Sequence, residues 1–225
     1  MVFIERQETQ MHFFIDSANL EEIRRIDSFI PITGVTTNPS LIAKQNQQPI
    51  SILEEIRRYV GERELHAQVV SLQREEMIKE AQLLSSKLGE KTCIKIPVCP
   101  EGFAAMKQLA ADGFSITATA VFTPLQAMLA VECGAVRIAP YVSRIDKMGY
   151  DGLAVAERIQ TAFDKNGISA GIVAASVKNL QQVERMCEIG VYAVTLAPEM
   201  YPAMTDNPGS IAAAQEFHQK LKSLI

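Results

Sequence analysis

The chain has 225 residues and a mass of 24.8 kDa, with 48 % hydrophobic and 21 % charged residues. That composition excludes a disordered polymer, and the length suits one large domain or two minimal ones. Lys and Arg number 22 against 26 Asp and Glu, a formal net charge of −4, which argues against general nucleic-acid binding, because displacing phosphate counterions takes a net basic face.

The opening ten residues, MVFIERQETQ, are too charged for a secretory signal and are expected to form a flexible extension over 1–10. Beyond them, short runs rich in apolar and β-branched residues alternate with longer stretches of helical spacing. His12–Asp16 reads as a strand, Asn19–Phe29 as a helix and Ile32–Thr37 as extended. Ile50–Val60 is helical, with Ile52, Leu53, Ile56 and Val60 on one face. Leu65–Ser71 is a strand, Glu75–Leu88 a helix, Thr92–Pro97 a strand and Glu101–Ala111 a helix. The alternation continues through Ser115–Thr119, Thr123–Glu132, Val136–Tyr141 and Gly152–Asn166. It closes with Ser169–Ala175, Leu180–Ile189, Val191–Leu196 and the amphipathic helix Ile211–Leu224. Glycines 61, 89, 113, 134, 167 and 190 fall where helices should end in left-handed turns.

Eight such units predict the α/β class and a (β/α)8 TIM barrel, one domain over 11–225. Near-continuous apolar strands such as CIKIP and GIVAA fit parallel strands covered on both sides. A doubly wound open sheet is the alternative. No GxGxxG or GxxxxGK[ST] segment occurs, so the common nucleotide-binding versions of that sheet lack support.

Four cysteines, at 93, 99, 133 and 187, form no CxxC pair. They read as free thiols in a reducing cytoplasm. Three scattered histidines offer no metal motif, so no metal site is expected. No apolar run reaches the roughly 20 residues of a membrane span, so no membrane partner is expected.

Reactive side chains of a barrel sit at the C-terminal ends of its strands. Asp16, Thr36, Asn38, Gln68, Lys95, Thr119 and Tyr141 stand at or near such ends, with Arg144, Ser176 and Lys178 in the loops beyond. Lys95 lies within an apolar strand, on one face with Cys93 and Pro97. A lysine there is costly unless it is paired or gives up its proton. It is therefore either half of an interior ion pair, with Asp16 the obvious partner, or a neutral amine able to attack a carbonyl. Asp16 is either a helix N-cap or a proton-transfer group. Thr36 and Asn38 belong to a capping turn or donate to a polyol. Arg144, Ser176 and Lys178 suit a phosphate, or Arg144 pairs with Asp146 or Asp151 on the surface. Gln68, Thr119 and Tyr141 are satisfied core groups, or together they hold a water that carries protons to and from the phenol.

Several segments carry a resemblance: FIDSAN at 14–19, GVTTNPS at 34–40, AQV at 67–69 and IKIP at 94–97, then TAT at 117–119, APYV with RID at 139–146, and AASVK at 174–178. In this order they resemble the small transaldolase family, and more closely its fructose-6-phosphate aldolase branch. Gln68 and Tyr141 match the aldolase branch, where transaldolases resemble one another in Glu and Phe; Phe122 is a minor departure. The resemblance implies a barrel, a Schiff-base role for Lys95 and a proton-transfer role for Asp16. It places phosphate on Arg144 and Ser176, with Lys178 a weaker match. It implies reversible cleavage of fructose 6-phosphate to dihydroxyacetone and glyceraldehyde 3-phosphate. The alternative is transfer of a dihydroxyacetone unit between sugar phosphates of the pentose phosphate pathway. It implies no cofactor, and a homo-oligomer (a pentamer or decamer) whose last helix reaches a neighbour. A phosphosugar-binding barrel without catalysis is the further alternative.

Overall fold

The computed structural model describes residues 10–222. All but the last residue of the expected extension over 1–10, and the final residues 223–225, lie outside the described part.

Eight strands form a closed parallel barrel in chain order. They are β1 (His12–Asp16), β2 (Gly34–Thr36), β3 (Glu64–Gln68), β4 (Thr92–Pro97), β5 (Ile116–Val121), β6 (Arg137–Pro140), β7 (Gly171–Ala174) and β8 (Ala193–Leu196). The barrel closes where β8 pairs with β1, Phe14 opposite Thr195. The expected (β/α)8 architecture holds, and the open sheet is excluded.

Eight helices match the expected ones to within a few residues: α1 (Leu20–Asp27), α3 (Pro49–Val60), α4 (Arg74–Leu88), α5 (Pro100–Ala111), α6 (Pro124–Glu132), α8 (Gly152–Asn166), α9 (Leu180–Ile189) and α11 (Pro208–Lys222). Three short helices were not expected: α2 (Pro39–Ile42), α7 (Val142–Lys147) and α10 (Met200–Thr205). One or two turns are too short to display a 3.6-residue period. All six glycines expected at helix ends hold positive φ.

Alternation along each strand sorts the side chains into two environments. Ile94, Ile96, Ile116, Ala118 and Ile138 point outward and are fully buried under the helices. The inward face is far more polar: Thr36, His66, Lys95, Thr117, Thr119 and Thr195 are all buried there. At Gly34 a Cβ would lie 2.9 Å from the Phe14 ring, so only glycine leaves that ring room. In β5 the register against β6 shifts between Ala118 and Val121, and Ala120 takes φ +57°. This bulge carries the strand two residues past the expected end at Thr119. Among the described residues, no helix is long and apolar enough to cross a membrane.

Candidate active site

A cavity of about 290 Å³ opens at the C-terminal end of the strands. From the strands and their ends, Asp16, Gln68, Lys95 and Tyr141 line it. From the loops and short helices beyond, Asn38, Arg144, Ser176 and Lys178 join them. Eight of the ten side chains singled out by sequence thus meet around one space. Thr36 and Thr119 stand behind them, each bonded to a residue of the lining.

Lys95 is 5 % exposed. Its Nζ donates to the Thr37 carbonyl oxygen at 2.8 Å. Among the described residues no carboxylate oxygen lies within 4.0 Å of it, so of the two alternatives left open for this side chain the ion pair with Asp16 does not form. Burial pushes the Lys95 proton affinity below its ordinary value, and the more distant charge of Asp16 recovers only part of the loss.

Asp16 does not cap α1. Asn19 does, its side-chain oxygen accepting from the backbone N–H of Glu21 at 2.9 Å and of Glu22 at 3.2 Å. Asp16 instead accepts from the Thr36 hydroxyl at 2.7 Å. Thr36 Oγ1 also lies 2.6 Å from Thr195 Oγ1. A hydroxyl has one proton, so Thr195 donates to Thr36 and Thr36 to Asp16. Thr36 is thereby committed to holding the carboxylate and does not line the cavity.

Asn38 is the N-cap of α2, its side-chain oxygen accepting from the Leu41 N–H at 3.1 Å. Capping and cavity lining coincide in this residue, and the cap leaves its NH2 as the group to offer a ligand.

Tyr141 Oη lies 3.0 Å from Thr119 Oγ1. Its ring is held by the edge of Phe122, centroids 5.9 Å apart, and by the Arg144 guanidinium 4.6 Å above its centre. Gln68 Oε1 is buried with no hydrogen-bond partner among the described residues.

Neither surface pair considered for Arg144 forms. Asp146 accepts from Gly152 N–H and from the Gln182 amide, and Asp151 caps α8 by accepting from Ala154 N–H. Arg144 and Lys178 are exposed beside the half-buried Ser176. Ser176 takes φ +59°, a left-handed backbone that costs a non-glycine residue about 1 kcal/mol or more.

Below Lys95, near the N-terminal end of the barrel and away from the C-terminal strand ends, lies a second polar cluster. Both Glu64 carboxylate oxygens accept from Arg137, and Oε1 also accepts from the Tyr192 hydroxyl at 2.6 Å. His66 Nε2 lies 3.0 Å from Glu64 Oε2, and Nδ1 lies 2.9 Å from Thr117 Oγ1. Burial drives the His66 proton affinity down, against the pull of Glu64. Neutral His66 therefore donates from Nε2 to the carboxylate and accepts at Nδ1 from Thr117. Glu64, His66 and Cys93 gather ligand-type atoms within 4.8 Å of one another, which the scattered histidines had not suggested. Arg137 and Tyr192 already claim the Glu64 oxygens, and burial pushes the Cys93 thiol up to about 12. The signal in the sequence was the alternation that puts Glu64 and His66 on one face with Gln68.

Comparison with known proteins places the chain as a whole. Residues 13–225 match the family model described as Transaldolase/Fructose-6-phosphate aldolase. A "Probable transaldolase" of Geotalea daltonii is 38 % identical over 207 residues, covering 92 % of this chain and 96 % of that one. A "Probable fructose-6-phosphate aldolase" of Streptococcus pneumoniae is 32 % identical over 209 residues, covering 92 % and 94 %. A solved structure from Coccidioides immitis, a presumed fructose-1,6-biphosphate aldolase, superposes with a TM-score of 0.59 at 20 % identity, over 84 % of this chain and 74 % of that one. At that identity it shares the fold alone. With a family model spanning all but its first residues, the chain belongs to the transaldolase/fructose-6-phosphate aldolase family.

Proposed function

We propose that the chain is a Schiff-base aldolase that reversibly cleaves fructose 6-phosphate to dihydroxyacetone and glyceraldehyde 3-phosphate. The observation that carries this reading is the Lys95 amine, buried, depressed in proton affinity and opening onto the cavity with Asp16 and Tyr141. Only the neutral amine attacks a ketone, and burial raises the neutral fraction.

In this mechanism Lys95 Nζ adds to C2 of the ketose. Asp16, held by Thr36, moves the protons that expel water and leave the iminium. The iminium draws the electrons of the C3–C4 bond, and glyceraldehyde 3-phosphate departs. Tyr141 takes the C4 hydroxyl proton through a water held with Gln68 and Thr119, and later returns a proton to the enamine carbon. The buried Gln68 Oε1, without a hydrogen-bond partner among the described residues, supports a water at that place. Hydrolysis frees dihydroxyacetone and the amine. Arg144, Ser176 and Lys178 take the phosphate, and Asn38 a sugar hydroxyl. No step calls for a cofactor.

The second reading, transfer of the dihydroxyacetone unit to another aldehyde phosphate, is favoured by relatives named transaldolase. The two share every step up to the enamine. A phenol within reach of a water gives the enamine a proton route, which supports release over retention. Incubation with fructose 6-phosphate alone separates them. Glyceraldehyde 3-phosphate should accumulate without any acceptor, and borohydride with dihydroxyacetone should fix a three-carbon adduct on Lys95. Product only in the presence of an acceptor would reverse the ranking, and no adduct would leave a binding barrel.

The chain also acts as a homo-oligomer in this reading, since no residue of α11 is buried while Ile211, Phe217 and Leu221 are exposed along it. Its four cysteines, none in a disulfide, support a cytoplasmic setting.

A further inference from the structure

Gln182 joins the two segments that carry the candidate phosphate groups, without lining the cavity itself. It stands in the first turn of α9 and is 7 % exposed. Its Oε1 accepts from the Lys178 backbone N–H at 2.8 Å and from the Ser143 hydroxyl at 3.3 Å. Its Nε2 donates to Asp146 Oδ2 at 3.0 Å. Asp146 Oδ1 in turn accepts from the Gly152 N–H at 2.8 Å, which ties the start of α8 into the same network.

Every polarity in this network is fixed. A backbone N–H only donates and a carboxylate only accepts, so the amide of Gln182 has one orientation. Turning it over would set NH2 against N–H and oxygen against carboxylate. Ser143 and Asp146 flank Arg144 on α7, one residue before it and two after. Lys178 lies two residues beyond Ser176, whose carbonyl oxygen accepts from Ser143 N–H at 3.1 Å. The buried amide thus bridges the arginine-bearing helix and the serine–lysine loop.

We propose that Gln182 is a positioning residue for phosphate selection. It sets the spacing between Arg144 and the Ser176–Lys178 loop, so that their donors converge on one phosphate group. This rests on the phosphate reading of those three residues given above. Arg144 and Lys178 have long exposed side chains, and their backbone origin is what a buried bond can fix. An oxyanion held by several donors tolerates little displacement of any of them.

The test compares kcat/KM for fructose 6-phosphate with that for unphosphorylated fructose, in wild type, Q182M, Q182E and the double variant D146N/Q182E. Q182E keeps both acceptor bonds but sets a carboxylate against Asp146. In the double variant an asparagine NH2 donates to the new carboxylate while its oxygen keeps Gly152, which restores the bond with reversed polarity. The phosphate preference should fall by about tenfold in both single variants, through KM for the phosphorylated sugar, and return in the double variant. Q182E and the double variant carry the test if Q182M does not fold. A wild-type preference kept in the folded single variants, or a double variant no better than Q182E, would overturn the inference. A wild-type preference near one would instead sink the phosphate reading beneath it.

Discussion

At Lys95 two opposing effects meet. Taking an ammonium out of water disfavours its charge, while the carboxylate of Asp16, more than an ion-pair distance away, favours it. Desolvation wins, so the folded-state pKa lies below the ordinary 10.5. Between those two values the unfolded chain binds more protons than the folded one, and stability rises with pH across that window. Below the folded pKa the charged amine is a standing cost. Lys95→Met should therefore abolish turnover and adduct formation while raising stability at neutral pH by about 1 kcal/mol. Urea unfolding at several pH values measures this. A variant less stable than wild type would mean that the bond to Thr37 outweighs desolvation. In wild type, kcat/KM should climb with pH through the folded pKa of the amine, ahead of where free lysine titrates. Residue by residue, alternation within CIKIP was enough to turn Lys95 inward. It could not decide between an ion pair and a free amine, because that depends on how far β1 stands from β4 across the barrel.

Elements of regular length were legible in the sequence because their apolar faces repeat. Helices α3, α4, α5, α8 and α9 begin and end within a residue of expectation. Strand edges were less legible: β3 stops at Gln68 rather than Ser71, and β5 runs on through its bulge to Val121. A bulge is a negotiation between neighbouring strands and leaves no mark in either alone. Helix α7 was the least legible element that bears on the site. It places Arg144 against the Tyr141 ring, and it is too short to show a period. Helix α11 poses the opposite problem, an amphipathic pattern with none of its residues buried among the described part of the chain. Ile211, Phe217 and Leu221 are 46 %, 62 % and 54 % exposed, an unusual cost for a lone helix. Deleting the chain from Pro208 onward should reduce an assembly to monomers by light scattering, with the circular dichroism of the barrel retained. An unchanged mass would show that the helix is not the adhesive.

For the whole molecule, the barrel's interior carries polar groups at both ends, with the apolar cluster of Phe14, Val173 and Ala193 buried beside them. The Glu64–Arg137–His66 cluster fills one end, and Asp16, Lys95 and Tyr141 open onto the other. Eight βα units in order predicted the closed shape, and the rule that reactive groups gather at strand C-termini brought eight of ten candidates to one cavity. The opposite end went unread because that rule says nothing about it. Closure has one more consequence. Around the ring, Asp16 lies three strands to one side of Lys95, and Tyr141 follows a strand two places to the other. In the proposed reaction a flat enamine on Lys95 meets unlike chemistry on its two faces. A new carbon–carbon bond should then form from one face only. Dihydroxyacetone joined to glycolaldehyde would emerge as a single enantiomeric series on a chiral column, whereas a racemate would mean that the enamine tumbles freely.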